Sequence, residues 1–364
     1  MPQSRRPKGA AGKGPDRRRV LAGAGLTALA GGALASGDPP PVLPGSRGDR
    51  SPTGRVREYW LQAEPYDADA APSGRDGFRD IAITGSTRYV GLRYRAFGPN
   101  WSAPLPASAD VGANAGIPGP ILRAEVGDEI VVHFRNADDH YRQPHSMHAH
   151  GLDYDLAHNG VWSAAYPNAP GTAVPVSGEY TYRWRAAASS VGVWPYHDNS
   201  RPFRPEQPGD PALGADEWIG KHLGLVGFIV VSEPKAPKPD REFFLVVHDL
   251  AGRDMPGITM PGCGAFNGRS YLGNTPEFTA KVGERVRWCV LGPNGIGAPR
   301  VVSFPHEFHV GGHRWAWRGR SQASTVILPD DVAVLEWTED NPGRWLYRSH
   351  SIRDVSMYGW YVVA

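Results

Sequence analysis

The chain has 364 residues, enough for two domains with sizeable cores. Its 45 glycines and 35 prolines stay below the share typical of disordered chains, and two cysteines exclude a disulfide scaffold or a Cys-rich zinc module. The formal net charge of +2 is unevenly distributed, because residues 1–36 hold seven of the 39 Lys and Arg residues but only one acidic residue. The remainder is mildly acidic, so the charge pattern predicts no nucleic-acid partner.

Residues 1–36 have the composition of an export signal. A basic segment is followed by an uncharged stretch, Val20–Ser36, that ends in small residues. The sequence RRRVL at residues 17–21 resembles a twin-arginine signal, so we expect the mature protein to be secreted. The alternative is a disordered tail followed by a buried helix. No later run is long and apolar enough to predict a membrane span in the mature chain.

The rest of the chain predicts an all-β fold. Short runs rich in β-branched and aromatic residues alternate with Gly and Pro, and no long segment keeps a helical period. The predicted strands include Arg88–Phe97, Glu129–Phe134, Glu179–Arg185, Gly224–Val231, Glu242–Val247, Glu284–Leu291, Val332–Trp337 and Trp360–Val363. A Pro- and Lys-rich break at residues 232–241 separates two predicted domains, 55–235 and 241–364.

Four sequence signals occur twice in the same order, which predicts a duplicated fold. They are a Val-Gly-acid turn, a motif around histidine, an aromatic motif and a final apolar strand. The matching segments are residues 124–130 and 280–286, 147–151 and 308–312, 194–197 and 345–348, and 227–231 and 359–363. Each half is therefore predicted to be one β-sandwich.

Several histidines lie inside these repeated signals. In a strand, the His-x-His spacing of His148 and His150 puts both imidazoles on one face, where they can bind one metal ion or two adjacent ions. The remaining histidines of the repeated signals are His197, His306, His309, His313 and His350. A lone strand histidine is usually an ordinary half-buried residue, but clusters at equivalent places favour a metal site. The other histidines, His133, His140, His145, His158, His222 and His248, are interpreted as surface or core residues.

The chain resembles the two-domain multicopper oxidases, the small bacterial laccases, from about residue 55 to residue 364. The resemblance rests on the segments GPILRAEVGDEIVVHFRN, MHAHGLDYD, FNGRSYLGNTPEFTAKVGERVRW and HEFHVGGHRW. It implies two cupredoxin-like Greek-key β-sandwich domains that bind copper. In that family a type 1 copper takes electrons from the substrate, and a trinuclear copper cluster reduces dioxygen.

One whole copper site of the family is missing from this sequence. The positions of the type 1 ligands are occupied by His306, Ser349 and Asp354, and the serine stands where the family has cysteine. A hydroxyl cannot replace the thiolate that gives this copper its covalency. A type 1 site in the first domain would need a cysteine at Asp198. We therefore expect no electron-transfer copper and no laccase activity.

The trinuclear cluster is retained in part. The lost positions, which would serve one type 3 copper, are Asn199, Gly311 and Arg348. The fixed positive charge of the arginine disfavours a cation there. The retained positions are His150, His197 and His350 for the other type 3 copper, and His148 and His309 for the type 2 copper. The lost ligand positions are grouped by copper site, and so are the retained ones. This grouping favours a metal centre modified for another function over a random loss of ligands.

A site of three histidines with an open fourth position can hold copper or zinc. The ancestry favours copper, and zinc is the alternative. The same three positions form the substrate-binding copper of the copper nitrite reductases, in which the residue equivalent to His148 is an acid–base group. His148 and His309 are predicted either to bind a second copper or to transfer protons. Asp198 is predicted to assist as a partner of the imidazoles.

The predicted function is that of an exported copper-dependent oxidoreductase that is not a laccase and that binds a small-molecule substrate or dioxygen at the metal. The alternatives are a non-catalytic copper-binding protein and a zinc-dependent enzyme. In two-domain relatives the cluster lies between the first domain of one subunit and the second domain of its neighbour, which predicts a homotrimer. The alternative is a monomer with its histidine clusters apart. Cys263 and Cys289 are predicted to form one disulfide or to remain two buried thiols.

Overall fold

The computed structural model describes residues 54–200, 219–250, 263–292, 305–317, 320–350 and 356–364. Over these residues the predicted all-β fold is confirmed, since the helical segments are short. The helical segments are the 3₁₀ turns Pro99–Trp101, Leu156–His158 and Ala188–Ser190, and one α-helix, α1 (Ile219–Leu223). The predicted export signal at residues 1–36 and the predicted ligand position Asp354 lie outside the described residues.

The first half of the described chain contains ten strands. They are β1 (Val56–Asp69), β2 (Arg75–Asp76), β3 (Ile81–Ala82), β4 (Arg88–Phe97), β5 (Leu122–Glu125), β6 (Glu129–Asn136), β7 (His148–Ala149), β8 (Glu179–Arg185), β9 (Gly192–His197) and β10 (Val226–Ser232). Two four-stranded sheets, in the orders β4-β1-β6-β8 and β5-β10-β9-β7, form the first sandwich. The short strands β2 and β3 pair separately.

The second half repeats this arrangement. Its strands are β11 (Arg241–Leu250), β12 (Cys263–Phe266), β13 (Phe278–Ala280), β14 (Arg285–Leu291), β15 (His306–Val310), β16 (Trp315–Trp317), β17 (Arg320–Gln322), β18 (Ser324–Ile327), β19 (Val332–Thr338), β20 (Gly343–His350) and β21 (Tyr358–Val363). The sheets β12-β11-β14-β19 and β13-β21-β20-β15-β18 form the second sandwich, and β16 pairs with β17. The duplicated sandwich architecture expected from the internal repeat is therefore observed.

Strand β8 illustrates how the sequence dictates these sheets. Tyr182 and Trp184 are fully buried, whereas Arg183 between them is exposed. This period-2 alternation places one face of the strand in the core and the other in solvent. The observed bounds of β4 and β8 coincide with the predicted ones. Strand β10 begins two residues later than predicted, because Gly224 terminates α1 with a φ of 126°.

A third apolar cluster joins the two sandwiches. It combines Val193 and Phe228 of the first sandwich with Val246, Cys289 and Leu291 of the second. A sheet of the first sandwich therefore packs face to face against a sheet of the second, and this packing brings β9 close to the second sandwich.

Both cysteines are thiols in the structure. The Sγ atom of Cys263 lies 3.1 Å from the Oγ atom of Ser270, and Cys289 lies in the apolar cluster between the sandwiches. Burial raises the pKa of the Cys289 thiol. The structure therefore has two thiols and not the disulfide, but only Cys289 is buried as predicted, since Cys263 is half-buried. Within the described residues, no helix has both the length and the apolar character required to cross a membrane.

Candidate metal centre

Antiparallel pairing of β7 with β9 brings three predicted metal ligands together. His148 lies directly opposite His197 in the register. His150 follows β7, and its backbone N–H donates to the carbonyl of Pro195, 3.1 Å away, so the pairing continues past the strand end. The potential ligand atoms of His148, His150 and His197 all lie within 4.8 Å of one another. The His-x-His motif thus contributes two potential ligands and the facing strand contributes the third.

Backbone carbonyls fix the tautomers of two of these histidines. The Nδ1–H of His148 donates to the carbonyl of Asn159 at 2.7 Å, and the Nδ1–H of His197 donates to the carbonyl of Asp198 at 3.0 Å. Because a carbonyl oxygen only accepts, each Nδ1 carries the proton and each neutral ring keeps a lone pair on Nε2. The Nε2 atoms of His150 and His197 are 2.9 Å apart. Two imidazole nitrogens held this close suit a shared metal ion.

The electrostatics of the cluster keep its histidines neutral. Burial lowers the pKa of His148, and it lowers the pKa of His197 well below the usual value. Burial, followed by the neighbouring His148, lowers the pKa of His150 to about 4. Imidazoles that stay deprotonated at neutral pH offer their lone pairs without competition from protons. The donor set, its tautomers and its charge state therefore fit a copper or zinc ion.

Of the predicted ligands in the second sandwich, His306 and His309 do not belong to this group of three, and the side chain of His350 lies outside the described part of the structure. His306 is buried on β15, and its Nδ1 atom lies 2.8 Å from the Oγ atom of Ser349. His309 is half-buried on the same strand and lies opposite Arg348 in the β15–β20 register. His350 is the last residue of β20 and pairs with Glu307.

The Asp198 carboxylate is part of a buried hydrogen-bond network. It accepts from the backbone N–H groups of Ser146 and Ser200, 2.8 and 3.1 Å away. The Nδ1 atom of His145 lies 2.9 Å from it, and the Nε2 atom of the same ring lies 3.2 Å from a carboxylate oxygen of Asp138. The network ties the backbone before β7 to the backbone after β9. The Asp198 group that contacts an imidazole of the three-histidine cluster is its carbonyl, which lies 3.0 Å from Nδ1 of His197.

Sequence reasoning missed the roles of His145 and Asp138. Both side chains are completely buried. Burial alone would lower the pKa of His145, but the carboxylates of Asp198 and Asp138 outweigh it and raise that pKa to about 9. His145 is therefore a buried imidazolium between two carboxylates. The interpretation of His145 as a surface or core residue allowed for its burial but did not include its charge. The sequence does not show that the carboxylates of Asp138 and Asp198 surround this ring.

Sequence reasoning also missed an ion pair between the two sandwiches whose lysine is buried. The Nζ atom of Lys221, on α1, contacts a carboxylate oxygen of Asp330, in the loop between β18 and β19. The Lys221 side chain is only 5% exposed. The one sequence signal is a lysine inside the otherwise uncharged and largely apolar run IGKHLGLVGFIVV. A charged residue buried in such a run needs a partner, which here comes from the other sandwich.

Two family models for multicopper oxidases match residues 102–210 and 246–364. Human hephaestin is 26% identical over 354 residues, which cover 86% of this chain and 29% of hephaestin. The chain thus spans less than a third of the length of that relative.

Solved structures share the fold at low sequence identity. The blue copper oxidase from Nitrosomonas europaea has a TM-score of 0.55 and 18% identity, with 85% of this chain and 86% of that chain covered. The copper nitrite reductase from the same organism has a TM-score of 0.56 and 18% identity, with 85% and 94% covered. These structures show the fold, and the two family models, together with the duplicated sandwiches, show that the chain belongs to the multicopper oxidases.

Proposed function

We propose that this multicopper oxidase is an exported copper-dependent oxidoreductase that lacks laccase activity. Its small-molecule substrate or dioxygen binds directly at a metal held by His150, His197 and His350, with His148 and His309 beside it. The observation that carries the proposal is the cluster of His148, His150 and His197, because their ligand atoms converge within 4.8 Å and two of them are proposed ligands. The basic N-terminal segment supports export.

Copper bound at such a site supplies one-electron chemistry and an open coordination position. The chain's own residues provide the geometry around that position. The carbonyls of Asn159 and Asp198 hold the rings of His148 and His197 with Nε2 available. His148 can bind the metal or exchange a proton with a ligand, since its Nδ1–H is already committed to a carbonyl.

A single metal ion is supported better than a pair. His309, the second ligand needed for the type 2 position, lies directly opposite Arg348 across β15 and β20. Cross-strand neighbours approach closely, so a fixed guanidinium charge beside His309 disfavours a cation there. His309 is then assigned to proton transfer.

The absence of laccase activity is supported by the surroundings of His306. Its partner at 2.8 Å is the hydroxyl of Ser349, and both side chains are buried. A hydroxyl does not form the covalent copper–sulfur bond that electron-transfer copper requires. Without that centre, electrons from phenols have no entry site.

Metal analysis and spectroscopy of the purified protein test this proposal. We expect copper in the as-isolated protein, a copper EPR signal and no intense blue absorption, because Ser349 stands at the position of the type 1 cysteine. His150→Ala and His197→Ala should each lower copper affinity at least about tenfold, whereas His140→Ala, which changes an exposed histidine, should not.

The outcomes separate the alternatives. An intense blue band or turnover of laccase dyes would contradict the proposal. Tight copper binding with neither oxygen uptake nor nitrite reduction in the presence of a reductant would indicate a non-catalytic copper protein. Zinc in the as-isolated protein would indicate a zinc-dependent enzyme.

We further infer that the site is shared between subunits of a homotrimer. His148, His150 and His197 belong to the first sandwich, whereas His309 and His350 lie on β15 and β20 of the second. His309 does not join the described group of three. A ring in which each first sandwich meets the second sandwich of a neighbour completes every site equally.

A further inference from the structure

Ser146, two residues before His148, lies inside the buried hydrogen-bond network beside the histidine cluster. The residue is fully buried, and its backbone and side-chain polar groups all have partners. Its backbone N–H donates to a carboxylate oxygen of Asp198 at 2.8 Å, and its carbonyl accepts from the hydroxyl of Tyr94 at 2.6 Å. These two bonds fix the backbone of Ser146 and therefore the point from which its side chain starts.

The Ser146 hydroxyl bridges two backbone segments. It donates to the carbonyl of Gly160 at 2.7 Å, which is closer than the Asp198 carboxylate oxygen at 3.3 Å. It also accepts from the backbone N–H of Asn199 at 3.2 Å. A hydroxyl has one proton to donate and lone pairs that accept, so both bonds form at once. The hydroxyl thus ties the segment that follows β9 to the loop between β7 and β8.

One end of this bridge controls the carbonyl that orients His197. The Asn199 N–H and the Asp198 carbonyl belong to the same peptide group, which is planar. A bond from this N–H to the Ser146 hydroxyl therefore also fixes the direction of the carbonyl. That carbonyl accepts from Nδ1 of His197 at 3.0 Å. The hydroxyl is thus separated from the imidazole of a proposed metal ligand by a single peptide group.

The other end of the bridge holds the loop that orients His148. Gly160 follows Asn159, whose carbonyl accepts from Nδ1 of His148 at 2.7 Å. Gly160 has a φ of 73° and lies so close to the chain before β7 that a Cβ atom would be 2.0 Å from the carbonyl oxygen of Met147. The loop therefore packs directly against this backbone, and the Ser146 hydroxyl is a polar bond between the two.

We propose that Ser146 is a positioning residue of the proposed metal centre, because its hydroxyl holds the backbone segments whose carbonyls leave Nε2 of His148 and His197 available. The inference rests on the proposed copper site and adds the residue that orients two of its imidazoles. Without the hydroxyl, two buried backbone groups lose a partner, and the peptide group after Asp198 is able to turn. The Nδ1 proton of His197 then loses its fixed acceptor, and the ring exchanges between its two tautomers.

Nuclear magnetic resonance of the histidine ring nitrogens in the metal-free full chain tests this inference without an activity assay. Wild-type protein should show His148 and His197 each as a single tautomer protonated at Nδ1. Ser146→Ala should give a mixture of tautomers at His197. In the same variant, copper affinity should fall at least about tenfold, and the copper EPR signal should broaden because the ligand geometry varies.

Two further variants test the hydroxyl itself. Ser146→Thr keeps a hydroxyl and should retain the wild-type tautomers and most of the copper affinity. Ser146→Cys has a similar shape but forms weaker hydrogen bonds, so it should shift the tautomers of His197 in the same direction as Ser146→Ala. The metal-free measurement on this variant keeps the test decisive even where Ser146→Ala folds poorly.

Ser270→Ala is the matched control. Ser270 is equally buried, and its hydroxyl also donates to a glycine carbonyl, that of Gly264 at 2.7 Å, but within the second sandwich. This variant should lose thermal stability much as Ser146→Ala does, because each leaves a buried backbone carbonyl without its hydroxyl partner. It should change neither the tautomers of His148 and His197 nor the copper affinity.

The results distinguish this inference from the proposed function. A wild type that binds no copper, together with a tautomer shift in metal-free Ser146→Ala, would contradict the proposed function and support the positioning role of the hydroxyl. A copper-binding wild type whose tautomers, EPR signal and copper affinity are unchanged in Ser146→Ala would contradict this inference alone. Equal changes of tautomers and affinity in Ser146→Ala and Ser270→Ala would show that the serine contributes only to stability.

Discussion

At the scale of single residues, the orientation of the histidine cluster depends on backbone carbonyls more than on carboxylates. The carbonyls of Asn159 and Asp198 accept from His148 and His197 and so decide which ring nitrogen stays free. Sequence reasoning predicted the histidines because their spacing is informative. It assigned the orienting role to the Asp198 side chain, since every residue has a carbonyl and the sequence does not show which one an imidazole will meet.

The buried imidazolium of His145 predicts a pH-dependent stability. Its pKa is raised from 6.5 to about 9 in the folded state. A group whose pKa is higher in the folded than in the unfolded state stabilises the fold fully when the pH is below its unfolded-state pKa. This contribution is lost as the pH rises through its folded-state pKa. We therefore expect the free energy of unfolding from this group to fall between about pH 6.5 and pH 9. Urea unfolding across this range measures it.

His145→Gln provides the comparison for that measurement. Removing the cation leaves the carboxylates of Asp138 and Asp198 buried together, so the variant should lose about 3–5 kcal/mol at pH 6 and less at pH 9. His140→Gln changes an exposed histidine and should follow the wild type at both pH values. A wild type and a His145→Gln variant that differ by the same amount at pH 6 and pH 9 would show that His145 is not charged in the native state.

At the scale of secondary structure, the sequence predicts which residues share a face but not which strands meet. The spacing of His148 and His150 predicts neighbouring imidazoles, and their ring centroids are 4.9 Å apart. His197 reaches them only through the β7–β9 pairing, between residues about fifty positions apart. The internal repeat marked residues 194–197 as equivalent to residues 345–348, but it did not show which strand they would face.

We predict that the close packing of helix α1 against Asp198 holds the end of β9 in place. A Cβ atom at Gly220 would lie 2.0 Å from Oδ2 of Asp198 and 2.9 Å from Nδ1 of His145. Gly220→Ala must therefore displace the buried network and should cost about 1–3 kcal/mol of unfolding free energy. Because the Asp198 carbonyl orients His197, copper affinity should also fall about tenfold.

Gly116→Ala is the matched control for this prediction. A Cβ atom there would meet Tyr66 at 3.4 Å, an ordinary contact distance. Its unfolding free energy and copper affinity should stay close to those of the wild type, as measured by denaturant unfolding and copper titration. Wild-type values for Gly220→Ala as well would mean that α1 shifts freely and does not support the metal centre.

At the scale of the whole molecule, duplication was the most predictable feature and packing between the sandwiches the least. Each half repeats the same signals, and each half forms two sheets. The cluster of Val193, Phe228, Val246 and Leu291 that joins the sandwiches carries no separate sequence signal, because its residues resemble those of any buried strand. For the same reason the sequence did not reveal that Lys221 would meet Asp330 across this junction.

The proposed homotrimer can be tested by subunit complementation. His197→Ala leaves the second sandwich intact, and His350→Ala leaves the first intact. Alone, each variant should bind copper weakly. When the two are mixed and reassembled, sites in which an intact first sandwich meets an intact second sandwich should recover tight binding, about a quarter of all sites for random trimers. Copper titration of the mixture measures this fraction.

Assembly and metal binding should also be linked, because a ligand that binds only the assembled state stabilises it. Light scattering should therefore give a trimer for the copper-loaded wild type and a shift toward smaller species at low concentration after copper is removed with a chelator. Mixing His140→Ala with His350→Ala controls for simple dilution, since His140 is exposed and contributes no ligand in this proposal. A wild-type monomer that binds copper tightly, with no recovery in the mixture of His197→Ala and His350→Ala, would show that both sandwiches of one chain complete the site.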